Sequence, residues 1–150
     1  PFTITRAFLS IEEKNARVIV KGSPEIKIIG SQFRQLLTNL LSNSLKFSRP
    51  DSLPEIIIEN ERINADAVPF ENKPALQYNK ISIQDNGIGF DGQYGDRIFE
   101  VFQRLHTVKD YPGTGIGLAI VKKIVDNHQG FISAQGESGR GATFTLYLPA

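Results

Sequence analysis

Three groups of residues in this chain have the types and spacing to do chemistry. The first centres on Asp85, which closes the alternating run Lys80-Ile81-Ser82-Ile83-Gln84. Period-two alternation puts its side chain on the same face as Ile81 and Ile83, the core side of a strand. A carboxylate aimed inward is costly unless donors meet it. Gly87 and Gly89 follow and let the backbone turn sharply and be approached closely. An inward carboxylate beside bare backbone can accept a hydrogen bond from an exocyclic amine such as that of adenine. Guanine presents an acceptor at that position and would be rejected. A plain turn, with Asp85 bonding local backbone, is the other reading. The second group lies on one stripe of a helix. Asn39 and Asn43 are four residues apart, and Lys46 follows three later. An amide oxygen suits Mg²⁺, which takes few protein ligands and keeps waters and phosphate oxygens, and a Lys one turn on suits a phosphate. An ordinary polar helix face is the alternative, although two Asn inside a helix are poor helix formers. The third group is Gly113-Thr114-Gly115-Ile116-Gly117-Leu118. Glycines opening a helix expose N–H groups where the dipole favours anions. The spacing fits neither a dinucleotide fingerprint nor a P-loop, and alone it says little.

The elements that must position these groups follow from pattern. Residues 2–16 are ambiguous between helix and strand. Residues 17–20 read as a strand, and 26–29 as a second, short one. Ser31 is placed to cap a helix over 32–47 whose apolar half carries Phe33, Leu36, Leu37, Leu40, Leu41 and Leu45. Residues 55–63 and 80–85 read as strands joined antiparallel by a long surface loop, 64–79, with two prolines and no evident chemistry. A second helix is predicted over 116–128, stopped by Gly130. Strands at 131–134 and 142–148 complete the chain. Residues 86–114 are rich in Gly and polar residues around an apolar knot at 98–102, the profile of a mobile lid. This mix predicts an α+β fold, a two-layer α/β sandwich with one mixed sheet covered by helices on one face.

Composition narrows the class. The chain has 150 residues, 40% apolar and 22% charged, with a net charge of +1. That is ordinary for a single globular domain and leaves no electrostatic footprint for nucleic acid or an anionic membrane. There is no Cys, which excludes disulfides, thiolate nucleophiles and Cys-based metal sites. The apolar runs are far shorter than the ~20 residues of a spanning helix. The chain holds no Met and begins at Pro1, which predicts a piece of something larger.

The order of the three groups carries more than any one of them. The chain resembles the ATP-binding catalytic domain of sensor histidine kinases, within the superfamily that includes gyrase, a heat-shock chaperone and mismatch-repair ATPases. Residues 39–47 (Asn-Leu-Leu-Ser-Asn-Ser-Leu-Lys-Phe) resemble the N box and 85–89 (Asp-Asn-Gly-Ile-Gly) the G1 box. Residues 99–102 (Phe-Glu-Val-Phe) resemble the F box and 113–117 the G2 box. The resemblance covers roughly residues 12–149 and implies a Bergerat-type ATP-binding fold. It implies residues 1–16 as a remnant of the connection to an upstream helical dimerisation domain, and 17–150 as the kinase catalytic domain. It further implies that Asp85 binds the adenine amine, that Asn43 supplies the Mg²⁺ oxygen, and that Asn39 and Lys46 touch or order the phosphates. Gly87, Gly89, Gly113, Gly115 and Gly117 would shape pocket and lid, with Phe102, Thr114 and Leu118 completing the nucleotide-binding set. Arg104 matches a lid arginine able to reach the γ-phosphate. Thr143 matches a pocket Thr near adenine, although alternation groups it with Thr145 and Tyr147, across the strand from Phe144.

One departure selects within the superfamily. Its ATP-hydrolysing members carry Glu four residues before the Mg²⁺ Asn, whereas this chain has Asn39, which cannot take a proton at neutral pH. Such a site suits phosphoryl transfer to a protein side chain, where positioning and charge neutralisation supply most of the catalysis. The chain holds two His. His128 sits at a helix end, where a cation is favourable. His106 lies in the expected lid and lacks the acidic neighbour of a phosphoacceptor. The acceptor His is therefore expected upstream, on a dimerisation domain of the same protein, with a response regulator receiver domain as the next partner. ATP and Mg²⁺ are the expected cofactors. The parent is expected to be a homodimer, with this part cytoplasmic and in no direct contact with nucleic acid or membrane, whether or not the parent is membrane-anchored. Phe99 and Phe102 are expected to pin the lid to the domain body, while Lys109 and Tyr111 are further lid residues. The alternatives are a serine kinase of anti-sigma type on the same fold and a non-catalytic ATP sensor.

Overall fold

The computed structural model describes residues 11–22, 25–92, 95, 97–99 and 117–150. Five strands form one sheet: β1 (Arg17–Lys21), β2 (Glu55–Asn64), β3 (Gln77–Asp85), β4 (Phe131–Glu137) and β5 (Gly141–Pro149), in the order β1-β2-β3-β5-β4. β1 runs parallel to β2, and the other neighbouring pairs are antiparallel. Helices α1 (Gly30–Lys46) and α2 (Gly117–Asn127) lie across one face. The expected α+β sandwich is the fold observed.

Register explains where the core sits. Ile56 pairs with Asp85, Ile58 with Ile83, and Ile83 in turn with Phe144. These residues, with Ile81, Leu146, Leu148 and Ile132, face the helices and meet Leu36, Leu40 and Leu45 of α1 and Val121, Ile124 and Val125 of α2. Burying each such side chain contributes roughly 1.5–3 kcal/mol. The carboxylate of Asp85 thus ends a row of core isoleucines. Phe99 packs against the same core, its ring edge-on to Phe144 at 6.3 Å between centroids. Ile11 and Ala16 also pack there, and the Lys14 ammonium reaches the Leu45 carbonyl at the end of α1. A cation at a helix C-terminus meets the dipole favourably.

Four local expectations need correction. Residues 25–29 form no strand; the chain runs irregularly into α1. The residue before α1 is Ile29, not Ser31, and no side chain of its own caps the helix. At the end of α2 the left-handed residue is Gln129, with φ +58°. Gly130 is required by close approach instead, because a Cβ there would lie 2.5 Å from the Tyr147 carbonyl oxygen. The 64–79 connection does more than cross the surface. Its residues 65–76 fold over the helix-free face of the sheet, where Val68, Tyr78 and Tyr147 are buried with Phe70 and Phe131 packed on them. Phe70 stacks on Phe131 at 4.9 Å, and Lys73 ties the loop by donating to the carbonyls of Ala65 and Val68. Pattern missed this small second core because its residues are scattered over four segments.

His128 holds the two helices together. Its Nδ1 faces the Ile124 carbonyl at 2.8 Å, and its Nε2 lies 2.9 Å from the backbone N–H of Ile29. With Nε2 accepting from Ile29, Nδ1 is the nitrogen placed to donate to the Ile124 carbonyl. The histidine at the helix end thus has a structural role, through specific bonds to both helices. The open donor at the start of α1 is satisfied by a side chain from α2. Replacing His128 with Ala should cost about 1–2 kcal/mol, the loss of this bond and the exposure of its partner. Thermal unfolding should report a fall of about 2–6 °C, and an unchanged midpoint would refute the role.

Candidate nucleotide-binding site

The chemistry gathers where the end of β3 meets the C-terminal half of α1. Asp85 Oδ1 accepts the N–H of Gly87 at 2.9 Å and that of Ala142, on the neighbouring strand, at 3.2 Å. One carboxylate oxygen is thereby committed to backbone, which leaves Oδ2 as the acceptor for anything entering the site. Burial pushes the Asp85 carboxyl above its ordinary value. The Gly87 N–H, the nearby Ser44 hydroxyl and the Ala142 N–H pull in the opposite direction without overcoming it. The Ser44 hydroxyl is buried and makes no well-formed hydrogen bond, so its effect on Asp85 is that of proximity. Ser44 thus places the C-terminal half of α1 beside the carboxylate.

The turn after Asp85 is built for close approach. A Cβ at Gly87 would fall 2.4 Å from the Phe47 carbonyl oxygen, and Gly89 has φ +67°, a conformation side chains resist. Ile88 N–H donates to that same Phe47 carbonyl at 2.9 Å, which fixes the turn against the end of α1. Asn39, Asn43 and Lys46 are half-buried along α1. The Asn39 amide nitrogen donates to the carbonyl of Gly117 at the start of α2, 3.3 Å away. The Lys46 ammonium lies 5.4 Å from the centre of the Phe47 ring. Leu118 packs against the core from the first turn of α2.

The structure therefore brings Asp85 together with Gly87, Ala142 and Ser44, and separately joins Asn39 to Gly117. Phe102, Arg104, Gly113, Thr114 and Gly115 lie outside the described residues, as do His106, Lys109 and Tyr111. Thr143 is not at Asp85. It pairs with Gln84 and shares the opposite face of the sheet, as its parity with Thr145 and Tyr147 requires. Position 142 serves the site instead, through its backbone N–H. Sequence reasoning also passed over Ser44 and Phe47. Counting alternation back from Phe144 was the available signal for Ala142; nothing marked Ser44 apart from its neighbours. Among the described residues no group of three or more His, Cys, Asp or Glu could hold a metal, and no helix is long and apolar enough to cross a membrane. The donor set still fits a hard cation that takes one amide oxygen and finds its other ligands in phosphate and water.

Because Asp85 holds its proton more tightly folded than unfolded, its contribution to stability is present below the unfolded pKa. It is lost as pH rises through the raised folded value. At neutral pH the ionised carboxylate is a cost. The unliganded Asp85→Asn variant should therefore melt above wild type near neutral pH, and the gap should close as pH falls into the acid range. A variant that melts below wild type at neutral pH, or a gap that widens in acid, would contradict this assignment.

Comparison with known proteins agrees with the geometry. Residues 29–150 match the family described as histidine kinase-, DNA gyrase B- and HSP90-like ATPase. Cyanobacterial phytochrome A of Nostoc is 40% identical over 139 residues, covering 93% of this chain and 16% of the relative. Phytochrome-like protein Cph1 of Synechocystis is 42% identical over 139 residues, covering 93% of this chain and 17% of its own length. This chain thus corresponds to a small part of those proteins. Among solved structures, a mycobacterial sensor histidine kinase, MprB, superposes with a TM-score of 0.76 at 24% identity, covering 98% of this chain and 93% of that one, and so supports the fold. Full-length ShkA in complex with AMPPNP superposes with a TM-score of 0.69 at 25% identity over 98% of this chain and 29% of that one. A family match over most of the chain, on a sheet-and-helix frame with an inward Asp beside an Asn-bearing helix, means that this chain belongs to the histidine kinase-, DNA gyrase B- and HSP90-like ATPase family.

Proposed function

We propose that this chain is the ATP-binding catalytic domain of a sensor histidine kinase, holding Mg·ATP and presenting its γ-phosphoryl group to a histidine on an upstream dimerisation domain. The observation that carries the reading is the Asp85 carboxylate, half-buried, with one oxygen occupied by two backbone amides and the other left to accept. An exocyclic amine is the purine group that satisfies such an oxygen without bringing a second charge. The Phe47 carbonyl, at the end of α1, holds the turn in place through the Ile88 N–H. The ShkA complex with AMPPNP, on the same fold, supports a nucleotide as occupant.

Along α1, the Asn43 amide oxygen is suited to Mg²⁺, and Lys46 lies one turn further on the same stripe for phosphate. When bound, Mg²⁺ supplies charge neutralisation at the phosphate oxygens. Asn39 is an amide that already donates to Gly117 and cannot act as a base for water. The chain thus keeps ATP for an outside nucleophile. An imidazole nitrogen forms the new bond to the γ-phosphorus, the bond to the β–γ bridging oxygen breaks, and ADP leaves with that oxygen. His128 is not that nucleophile, since both its ring nitrogens are engaged between the helices. Arg104 completes the reading as the arginine reaching the γ-phosphate, within a nucleotide site that includes Phe102, Gly113, Thr114 and Gly115. The upstream helices would make the parent a homodimer, and a response regulator receiver domain would take the phosphoryl group in the cytoplasm.

Calorimetry with Mg·ATP should give measurable binding for wild type and none for Asp85→Asn, while Asn43→Ala should bind nucleotide without dependence on Mg²⁺. Near-wild-type affinity in the first variant, or intact Mg²⁺ dependence in the second, would refute the respective role. With γ-labelled ATP the chain alone should acquire no acid-labile label.

A further inference from the structure

Asn86 has no place in the site as described, yet it is the residue on which the departure of the chain from the sheet turns. The pairing of β2 with β3 ends at Ile56 and Asp85. One step further, the Asn86 backbone N–H donates to the Glu55 carbonyl at 3.3 Å, as an ordinary rung would. The return bond does not come from the Asn86 main chain. Its side-chain Oδ1 accepts the Glu55 N–H at 2.8 Å, and its Nδ2 donates to the Leu53 carbonyl at 3.0 Å. The side-chain amide thus stands in for a main-chain peptide and continues the ladder by one rung. The main-chain carbonyl of residue 86 is released to follow the turn that carries the Gly87 N–H back to Asp85 Oδ1. Pro54, between the two partners, has no N–H to offer and gives its carbonyl to Arg17. Asn86 is therefore the tie from the turn to the entry of β2.

Only an Asn side chain meets both demands at this reach. Asp would set a second oxygen against the Leu53 carbonyl, and Ser or Thr can serve one partner at a time. We propose that Asn86 is a positioning residue for base selection: its amide fixes the start of the 85–89 turn, and with it the direction in which the free oxygen of Asp85 points. The inference rests on the reading of Asp85 as the acceptor for the amine of adenine.

Selection between purines separates this role from a general contribution to folding. A loosened scaffold weakens ATP and GTP together. A misdirected carboxylate weakens only the nucleotide whose amine it receives, because GTP, with an acceptor at that position, gains nothing from Asp85 to begin with. Dissociation constants for Mg·ATP and Mg·GTP should be measured for wild type, Asn86→Ala, Asn86→Asp and Asn86→Ser, with thermal melting as the control for folding. We expect the ATP preference of wild type to fall about tenfold in the Ala and Asp variants through weaker ATP binding, the loss of roughly one well-aligned hydrogen bond. The Ser variant, which keeps an oxygen for the Glu55 N–H, should fall between them and wild type, and it decides the matter if the Ala variant does not fold. An ATP-to-GTP ratio equal to that of wild type in the folded variants, whether both affinities hold or both drop, would overturn the role of Asn86 and leave Asp85 untouched. A wild-type chain without preference would overturn the reading of Asp85 and this inference with it.

Discussion

The structure depends on keeping a carboxylate where a sheet would otherwise place an isoleucine. Asp85 continues the Ile81–Ile83 row on the helix side of β3, and desolvation there opposes its charge. Two backbone N–H groups, one from the turn after β3 and one from β5, offset part of that cost, and both bind the same oxygen. The asymmetry is the useful feature. A carboxylate fully satisfied by protein would have nothing left for a ligand, and one wholly unsatisfied would be protonated. With one oxygen anchored by two amides, the group is held in orientation while its other oxygen can accept from a ligand.

Much of the surrounding architecture can be understood as the means of sustaining that arrangement. Gly87 and Gly89 let the chain fold back within contact distance of the end of α1, and the Phe47 carbonyl receives Ile88 there. The edge of the site is set by β5, whose even-numbered residues face the helices, so that Ala142 rather than Thr143 reaches Asp85. The two helices are tied at both ends, by Asn39 to Gly117 and by His128 to Ile29, which fixes the polar stripe of α1 relative to the start of α2. Stability and site geometry are therefore carried by many of the same bonds.

The sequence made the frame legible where one periodicity dominated. The alternation in 80–85 and 142–148 and the leucine half of 32–47 set strand, helix and face, and Asp85 was found because it broke a pattern at a position where breaking it is expensive. The four boxes in order then supplied the family. What was not legible depends on contacts between distant segments. Ser44 is one polar residue among several on α1 until β3 is placed against it. The second small core over 65–76 draws on residues from both sides of the sheet's midline and shows no period of its own. The bond from His128 to α1 was not legible because its partner, Ile29 N–H, is 99 residues away and is backbone. Thr143 was carried over by likeness to the family against its own parity, and parity prevailed.

The most direct measurement is the structure of the chain with Mg²⁺ and a non-hydrolysable ATP analogue. The account requires the 6-amino nitrogen of the purine within about 3 Å of Asp85 Oδ2, the normal reach of a hydrogen bond, with the anchored oxygen still held by the amides of Gly87 and Ala142. A base seated elsewhere, or an Asp85 side chain rotated out to solvent with the nucleotide bound, would contradict it.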